Sequence, residues 1–160
     1  MDNIKFYQVS PDYIDYLTPH APHLFHNKQK GQQNERKYIG IVLHINHMDY
    51  FAPLSSFKDK HRRMKEGLDF IKIKNHAVIN LNNMFPVPQG YYTYVNISKE
   101  RNPQYKALLL AEYRCIKSIQ EKIKKNAATL YQLKVKGEVS ALTKRCNNFL
   151  QLEEMCKKYK

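Results

Sequence analysis

The side chains best suited to chemistry stand together where an apolar segment ends. Ser55, Ser56 and Lys58 follow Pro53 closely and provide two hydroxyls and an ammonium group. Hydroxyls can hydrogen-bond a phosphate, and a lysine can offset negative charge that builds up on it during a transfer reaction. A serine-hydrolase mechanism fits poorly, because the G-x-S-x-G motif is absent. The alternative is a plain turn, since serines often bend chains without taking part in chemistry.

The basic charge balance indicates an anionic partner. The chain has a net charge of +13, and residues 101–160 hold 14 Lys and Arg against 5 Asp and Glu. Such a balance points to nucleic acid or to an anionic membrane surface. Five cations within residues 58–65 favour a nucleic-acid backbone. The predicted RNA-binding residues are Lys28, Lys30, Lys60, Arg62, Arg63, Lys65, Lys117, Lys124, Lys125, Lys144 and Arg145.

Further groups could complete a site around the serines. Arg36 and Lys37 precede a predicted strand, and antiparallel pairing could bring them to Ser55 and Ser56. His61 is the candidate general acid or base, because imidazole titrates near neutral pH. RNA supplies its own nucleophile, the 2′-hydroxyl, so a ribonuclease of this kind needs positioning, proton transfer and positive charge but no metal. Alternatively, Arg36 and Lys37 are a solvated pair at a loop boundary, and His61 is a surface histidine.

Metal, cofactor and disulfide sites are not predicted. The histidines at positions 20, 23 and 26 lie among prolines, without a helical period that would make the rings converge. The carboxylates form no paired motif of the two-metal kind. Three cysteines without C-x-x-C spacing argue against a disulfide framework and against a zinc site.

The remaining polar and aromatic side chains give weaker indications. His44 lies in the middle of a predicted strand and is interpreted as a core residue. The chain has 12 Tyr and no Trp, and Tyr91, Tyr92 or Tyr94 would suit the stacking of bases. Most of the tyrosines are nevertheless expected in the core or at its rim.

The elements that must position these groups begin with a β-rich half. Strands are predicted over residues 4–9, 38–45, 48–54, 69–74, 77–81 and 91–97, with Asn46 and His47 as the turn of a hairpin. A short helix begins at Pro11, with Ser10 as its cap. Residues 19–36 have no period and are predicted to form a long loop.

The last part of the chain is predicted to be helical. Asn102 and Pro103 begin an amphipathic helix that runs to about residue 125, a second helix covers 127–136 before Gly137, and a third covers 140–159. The order of the elements predicts an α+β fold in a single domain over 1–160, with 1–100 mainly β and 101–160 helical. No apolar run could span a membrane and no signal-peptide profile is present, which predicts a cytoplasmic protein.

Several sequence blocks resemble a known family. YIGIVL at 38–43, YFAPLSSFK at 50–58 and VINLNNMFPV at 78–87 follow a first block at 6–17, and a weaker block covers 102–154. In order and spacing they resemble the ToxN/AbiQ endoribonuclease toxins of type III toxin–antitoxin systems, with the CptN-like branch as the expected position. The resemblance covers nearly the full chain.

The resemblance carries expectations about fold and function. It implies a compact, highly twisted antiparallel sheet with helices, similar to the MazF and Kid toxins, and metal-independent RNA cleavage that leaves a 2′,3′-cyclic phosphate and a 5′-hydroxyl. The implied partner is a small repeat-derived antitoxin RNA, which the toxin processes and which inhibits it in a closed ribonucleoprotein assembly. Released toxin is expected to cut cellular and phage RNA in the bacterial cytoplasm, causing growth arrest or abortive infection.

The resemblance also assigns residues to the cleavage site. The family's Thr-Ser pair falls on Ser55 and Ser56, and the lysine that follows falls on Lys58. The family lysine before the central strand falls on Arg36, with Lys37 next to it. Arginine can hold a phosphate through two hydrogen bonds but cannot exchange a proton.

Proton transfer would therefore belong to Lys37 or His61. The family tyrosine of the first helix falls on Tyr13, whereas a second family tyrosine falls near Gln32 and is lost. Two other functions stay open at this point. One is a non-catalytic RNA-binding module whose basic helices grip an RNA fold, and the other is a metal-dependent nuclease.

Overall fold

The structure, a computed structural model, describes residues 3–21, 24 and 36–159. Its strands are β1 (Lys5–Val9), β2 (Tyr38–Ile45), β3 (Met48–Ser56), β4 (Phe70–Ile73), β5 (Ala77–Asn80), β6 (Phe85–Val87) and β7 (Tyr92–Tyr94). Its helices are α1 (Pro11–Leu17), α2 (Asp59–Arg63), α3 (Pro103–Ser118), α4 (Gln120–Val135), α5 (Ala141–Lys144) and α6 (Phe149–Lys158). The predicted α+β fold with a helical C-terminal part is confirmed. The loop predicted over 19–36 lies largely outside the described residues.

Within the described residues, the strands pair antiparallel in the order β4-β5-β3-β2-β1-β7, and β6 pairs with β3. The β2–β3 hairpin is the centre of this sheet. Its turn residues Asn46 and His47 have φ angles of 54° and 63°, a left-handed conformation that asparagine tolerates better than most residues. Gly40 is required in β2, because a Cβ at this position would collide with the ring of Phe51 on β3.

Side chains that alternate along the hairpin contribute to two separate cores. Core A contains Ile39, Ala52 and Leu54 from the hairpin and packs against α3 and α4. Core B contains Tyr38 and Phe51 and packs against α1, β6 and α6. Successive residues of a strand point to opposite faces of a sheet, so the two cores lie on opposite sides of the hairpin. A residue that faces one core therefore shows that the side chains directly before and after it in the strand face the opposite side of the sheet.

The strands differ from the sequence-based prediction at two places. The strand predicted over 91–97 pairs with β1 only at Tyr92–Tyr94, because Asn96 then accepts a hydrogen bond from the amide of Ser98 and begins a 3₁₀ turn. Strand β6 was not predicted. It contains Pro86, which lacks an N–H donor, and it pairs with β3 along a single edge, as prolines in sheets usually do.

Two breaks between helices lie within segments that were predicted to be continuous helix. The break between α3 and α4 falls at Ile119, not near residue 126 as predicted, and no Gly or Pro marks it. The predicted helix over 140–159 is divided into α5 and α6. Asn147 binds the β-rich part there, since its N–H donates to the carbonyl of Asn82 at 2.9 Å and its side chain donates to the carbonyl of Met84 at 3.2 Å. These tertiary hydrogen bonds replace helical ones.

The caps at the start of the helices are partly as predicted. Asn102 accepts hydrogen bonds from the amides of Gln104 and Tyr105, both at 3.0 Å, and so caps α3 as predicted. Ser10 makes no side-chain cap, and the prediction for it is wrong. Helix α1 instead begins with Pro11 at its first turn, where a missing N–H costs no hydrogen bond.

Glu153 of α6 connects three elements below the hairpin turn. Its carboxylate accepts hydrogen bonds from the hydroxyls of Tyr50 and Tyr131, both at 2.7 Å, and from the side chain of Asn46 at 3.1 Å. A buried carboxylate is stable when strong donors surround it in this way. Helix α6 therefore holds the turn end of the hairpin, while the other end of the hairpin carries the candidate residues.

Candidate functional site

The open end of the hairpin brings Arg36 to Ser55. The N–H of Leu54 donates to the carbonyl of Lys37 at 3.1 Å, which continues the β2–β3 ladder by one step. In the next position, Nη1 of Arg36 donates to Oγ of Ser55 at 2.9 Å. Arg36 is 9% exposed, and burial lowers the pKa of its guanidinium, an effect that the Tyr38 phenol opposes. The predicted approach of Arg36 to Ser55 is observed.

The two serines point to opposite faces of β3. Ser56 lies opposite Ala77 and Leu54 lies opposite Ile79 in the pairing with β5, and these apolar residues belong to core A. Ser56 therefore shares the core A face, whereas Ser55 shares the face of Phe51 and core B. Ser55 is half-buried and Ser56 is exposed at the end of the strand. The hydroxyls cannot bind one group side by side from the same face.

The same alternation separates the two cations of β2. Ile39 faces core A and Tyr38 faces core B, so Lys37 points to the core A side and Arg36 to the core B side. Nζ of Lys37 lies 5.8 Å from the centre of the Tyr105 ring on α3, a cation–π distance. The end of the hairpin thus carries Arg36 with Ser55 on one face and Lys37 with Ser56 on the other.

His61 is a structural residue of the turn after β3. Its Nδ1 accepts a hydrogen bond from the backbone N–H of Lys58 at 2.8 Å, and the backbone N–H of His61 donates to the Lys58 carbonyl at 2.9 Å. The side chain is buried between the rings of Phe57 and Phe70. Burial and, secondarily, Lys60, Lys58 and Lys72 lower the pKa of the imidazole.

An imidazole whose Nδ1 accepts a backbone N–H carries its proton on Nε2 and is neutral. It could take up a further proton at Nδ1 only by breaking that hydrogen bond. The alternative of a surface histidine is wrong, because His61 is 6% exposed. The arrangement shows a residue that fixes Lys58 and the first turn of α2.

Tyr13 lies inside core B. Its hydroxyl donates to the carbonyl of Pro86, and its ring contacts those of Tyr16, Tyr91 and Tyr159. The residue has no exposed surface, and burial together with the neighbouring Cys156 raises the pKa of its phenol. These contacts describe a packing residue, and they leave no exposed oxygen for a substrate.

The predicted RNA-binding cations near α2 are exposed. Lys60, Arg62, Arg63 and Lys65 are exposed, and Arg62 lies 3.6 Å from the Asp59 carboxylate and over the ring of Phe57. These side chains follow directly after the open end of the hairpin. They extend its positive charge along the surface.

The predicted cations of the helical part are less uniform. Lys117, Lys125 and Lys144 are exposed and Lys124 is half-buried. Arg145 instead forms a two-pronged ion pair with the buried Asp69, with distances of 3.0 and 3.3 Å. This pair joins the region after α5 to the start of β4, so the guanidinium of Arg145 is engaged within the fold. Lys28 and Lys30 lie outside the described residues.

Two further sequence-based interpretations can be compared with the structure. His44 is exposed and bonds the Asp49 carboxylate at 2.6 Å, so its interpretation as a core residue is wrong. Tyr91 and Tyr92 pack against other aromatic rings, whereas Tyr94 is 53% exposed beside Lys5. In residues 3–21, 24 and 36–159, no three side chains of His, Cys, Asp and Glu lie together as metal ligands would.

Tyr105 is the neighbour of the site that the sequence did not indicate. It appeared only as one apolar position of a helical period, and nothing in the sequence marks it as a contact of Lys37. Burial, followed by the carboxylates of Glu112 and Glu100, raises the pKa of Tyr105 to about 12. The phenol therefore stays protonated near neutral pH.

Comparison with known proteins identifies the family. The sequence model described as "Toxin ToxN, type III toxin-antitoxin system" matches residues 5–157. The chain belongs to the ToxN family. Endoribonuclease ToxN of Bacillus thuringiensis subsp. kurstaki is 33% identical over 168 residues, which cover 99% of this chain and 86% of that relative. Endoribonuclease ToxN of Pectobacterium atrosepticum is 31% identical over 159 residues, which cover 94% of this chain and 91% of that relative.

Solved structures agree with this membership. A ToxN-like structure described by "selective toxin inhibition by a non-coding RNA pseudoknot" has a TM-score of 0.86 and 31% identity, and covers 99% of this chain and 98% of the other. A second, described by "a processed non-coding RNA regulates a bacterial antiviral system", has a TM-score of 0.87 and 29% identity over 97% of this chain and 98% of the other. The resemblance to the ToxN/AbiQ toxins is confirmed, whereas the CptN-like branch stays a prediction. This chain is a toxin of an endoribonuclease family.

The helices also bear on the membrane alternative raised by the basic charge. Across the described ranges, none of them combines the length and the apolar character that a membrane crossing needs.

Proposed function

We propose that this chain is an endoribonuclease toxin that cleaves RNA at the open end of the β2–β3 hairpin without a metal ion. The observation that carries the proposal is the hydrogen bond between Arg36 and Ser55, which presents a buried cation and a hydroxyl next to a cationic surface. Membership of the ToxN family supports the same reaction. The whole chain would act as one domain, whose β-rich part carries the cleavage site.

The proposed reaction uses the RNA 2′-hydroxyl as nucleophile. Its oxygen attacks the adjacent phosphorus, the bond from phosphorus to the 5′-oxygen breaks, and a 2′,3′-cyclic phosphate and a 5′-hydroxyl result. One group removes the proton from the 2′-hydroxyl and another delivers a proton to the departing 5′-oxygen. Negative charge on the phosphoryl oxygens rises in the transition state and is offset by positioned cations and hydroxyls.

The residues at the hairpin end divide these tasks. Arg36 and Ser55 hold a phosphoryl oxygen from the core B face, and Lys58 offsets charge where β3 ends. Arginine keeps its proton, so it serves as an electrostatic group only. The hydrogen bond from Lys58 to Nδ1 of His61 favours Lys37 over His61 as the proton carrier. Ser56 contributes its exposed hydroxyl from the opposite face.

The proposed partner is a small antitoxin RNA derived from a repeat precursor. Relatives with 29–31% identity are described with a non-coding RNA that inhibits the toxin or is processed. We place this chain in the cytoplasm of a bacterium, in a closed ribonucleoprotein assembly with its RNA. Free toxin would cut cellular and phage RNA and so arrest growth or abort infection.

The test compares the purified chain with Ser55→Ala, Ser56→Ala and Lys58→Ala variants on RNA in the presence of a chelator. We expect the parent to cleave and Ser55→Ala and Lys58→Ala to lose about 100-fold or more in kcat/KM, as for single donors to a transition-state charge. Ser98→Ala, which removes an exposed hydroxyl bonded only within its own turn, is the matched control. The ends of the products should be cyclic phosphate and 5′-hydroxyl.

Each other outcome has a definite meaning. If the parent cleaves and all three variants match it, the site is wrong. If activity disappears on chelation, the chain is a metal-dependent nuclease. If the parent binds RNA but never cleaves it, the chain is an RNA-binding module and the proposal fails.

A further inference from the structure

An open cleft of about 380 Å³ lies between α3 and the turn that joins β4 to β5. Its walls are Lys74 and His76 of the turn and Ala111, Arg114, Cys115 and Ser118 of α3. This volume lies within the range of small-ligand sites. None of these residues belongs to the cleavage site proposed above.

Two cations, Lys74 and Arg114, line the cleft, and the Glu66 carboxylate near Cys115 is already paired with Lys122. Neither Lys74 nor Arg114 forms an ion pair with any residue that the structure describes, and both are exposed. Like charges that share a cleft repel each other, so an anion between them lowers the electrostatic free energy. Burial raises the pKa of the Cys115 thiol, the Lys74 ammonium lowers it and the Glu66 carboxylate raises it, so both charges act on this wall of the cleft.

The backbone of the turn holds Lys74 in an unusual conformation. Its φ angle is 50°, in the left-handed region that glycine and asparagine occupy most readily. The N–H of His76 donates to the carbonyl of Ile73 at 3.0 Å and closes the turn. A lysine in this place pays a conformational cost that glycine would avoid, and its side chain gains access to the cleft.

The sheet register places the cleft beside the proposed cleavage site. Ala77 lies opposite Ser56 in the antiparallel pair of β5 and β3. Opposite Cα atoms in such a pair are roughly 5 Å apart, and each further residue adds about 3.4 Å. His76 is the residue next to Ala77, so the edge of the cleft lies on the order of 10 Å from Ser56. Ser56 faces the core A side, and helix α3, which forms the other wall of the cleft, packs on the same core.

We propose that this cleft is a subsite for the phosphodiester backbone of the RNA strand that passes Ser56, with Lys74 and Arg114 binding a phosphate a few nucleotides away from the scissile one. The assignment rests on the proposed function for the identity of the strand. Cys115 and Ala111 provide an apolar wall, and the imidazole of His76 provides a further hydrogen-bonding group. The subsite would hold the strand in register with the hairpin end.

The binding test uses a Lys74→Gly, Arg114→Gln double variant and a 2′-O-methyl RNA oligonucleotide of mixed sequence, which lacks the nucleophile. Glycine accepts the positive φ without strain, so the loss of the lysine charge need not weaken the fold. The matched control is Lys136→Gln, Lys158→Gln, which removes the same charge from exposed positions far along the chain. We expect Kd to rise about tenfold and the slope of log Kd against log salt to fall by about 0.7 for one lost phosphate contact, relative to the control.

A second measurement reports on the cleft itself. Alkylation of Cys115 should slow when the same RNA is bound, whereas Cys146 and Cys156 are buried and should react slowly with or without RNA. Cys115→Ser identifies the labelled position, and inorganic phosphate alone tests whether an anion without a nucleoside protects it. Equal Kd and salt slope in the double variant and the control, or alkylation of Cys115 that RNA does not change, would overturn the subsite. If the parent binds RNA but does not cleave it, the proposed reaction is refuted. The affinity and alkylation measurements still decide whether the cleft binds RNA, because neither depends on cleavage.

Discussion

Replacement of His61 distinguishes a structural role from proton transfer. The Nδ1 atom of His61 accepts the N–H of Lys58 at 2.8 Å, and an asparagine oxygen can occupy nearly the same position. The His61→Asn variant therefore keeps the acceptor and removes every titrating group. The His61→Leu variant keeps apolar bulk between Phe57 and Phe70 but removes the acceptor. The two variants separate the hydrogen bond from the chemistry.

The expected magnitudes follow from that hydrogen bond. Loss of the acceptor leaves the N–H of Lys58 unsatisfied, at a cost of about 1–2 kcal/mol in the ordered turn. This corresponds to a factor of about 5–30 in the equilibrium constant for ordering of the turn, and kcat/KM falls by the same factor once the disordered turn predominates. We expect His61→Leu to lose up to that factor in kcat/KM and His61→Asn to stay within about threefold of the parent.

The assay is single-turnover cleavage of one RNA substrate over the pH range in which imidazole titrates. Because His61 would not exchange protons in the reaction, the shape of the pH profile should be the same for the parent and both variants. A loss of 100-fold or more in His61→Asn, together with the disappearance of one limb of the profile, is what a general acid or base would produce. That result would refute the structural role.

Three further expectations concern stability and binding. Burial raises the pKa of Glu112 from 4.5 to about 7, so the folded chain binds more protons than the unfolded chain, and stability falls between about pH 4.5 and pH 7. Glu112→Gln should raise the free energy of unfolding by about 3 kcal/mol above pH 8 and by little below pH 4 in urea titrations, unlike the exposed control Glu121→Gln. Tyr13→Phe should cost about 1 kcal/mol of stability with little change in kcat/KM, and a large loss of cleavage with unchanged stability would contradict its placement as a packing residue. Arg145→Gln should lower stability by about 1–3 kcal/mol, because it strands the buried carboxylate of Asp69, while RNA affinity changes less than twofold; the reverse pattern would show that this arginine binds RNA.

Much of the β-rich part was predictable because its signals are local. Alternating apolar residues and the turn residues Asn46 and His47 define the hairpin, and Asn102 with Pro103 defines the start of α3. The breaks at Ile119 and Asn147 were not predictable, because they depend on contacts with residues far along the chain. Asn147 leaves the helix to bond the carbonyls of Asn82 and Met84, and no local propensity reports that distant backbone.

In the candidate site, too, some features follow from the local sequence and others depend on the folded structure. Antiparallel pairing correctly predicted that Arg36 would approach Ser55, since register follows from the hairpin itself. Sequence proximity was misleading for Ser55 and Ser56, because neighbours in a strand face opposite sides. The role of His61 depends on one ring nitrogen meeting one amide, and only the folded turn defines that geometry.

The Glu153 network has a consequence for how the toxin is made. Helix α6, which supplies Glu153, Phe149 and Leu152, is synthesised after every strand of the sheet that it stabilises. A nascent chain that lacks α6 leaves the hydroxyls of Tyr50 and Tyr131 without their acceptor and both cores incomplete. The contacts that hold the turn end of the hairpin are therefore complete only once α6 has left the ribosome.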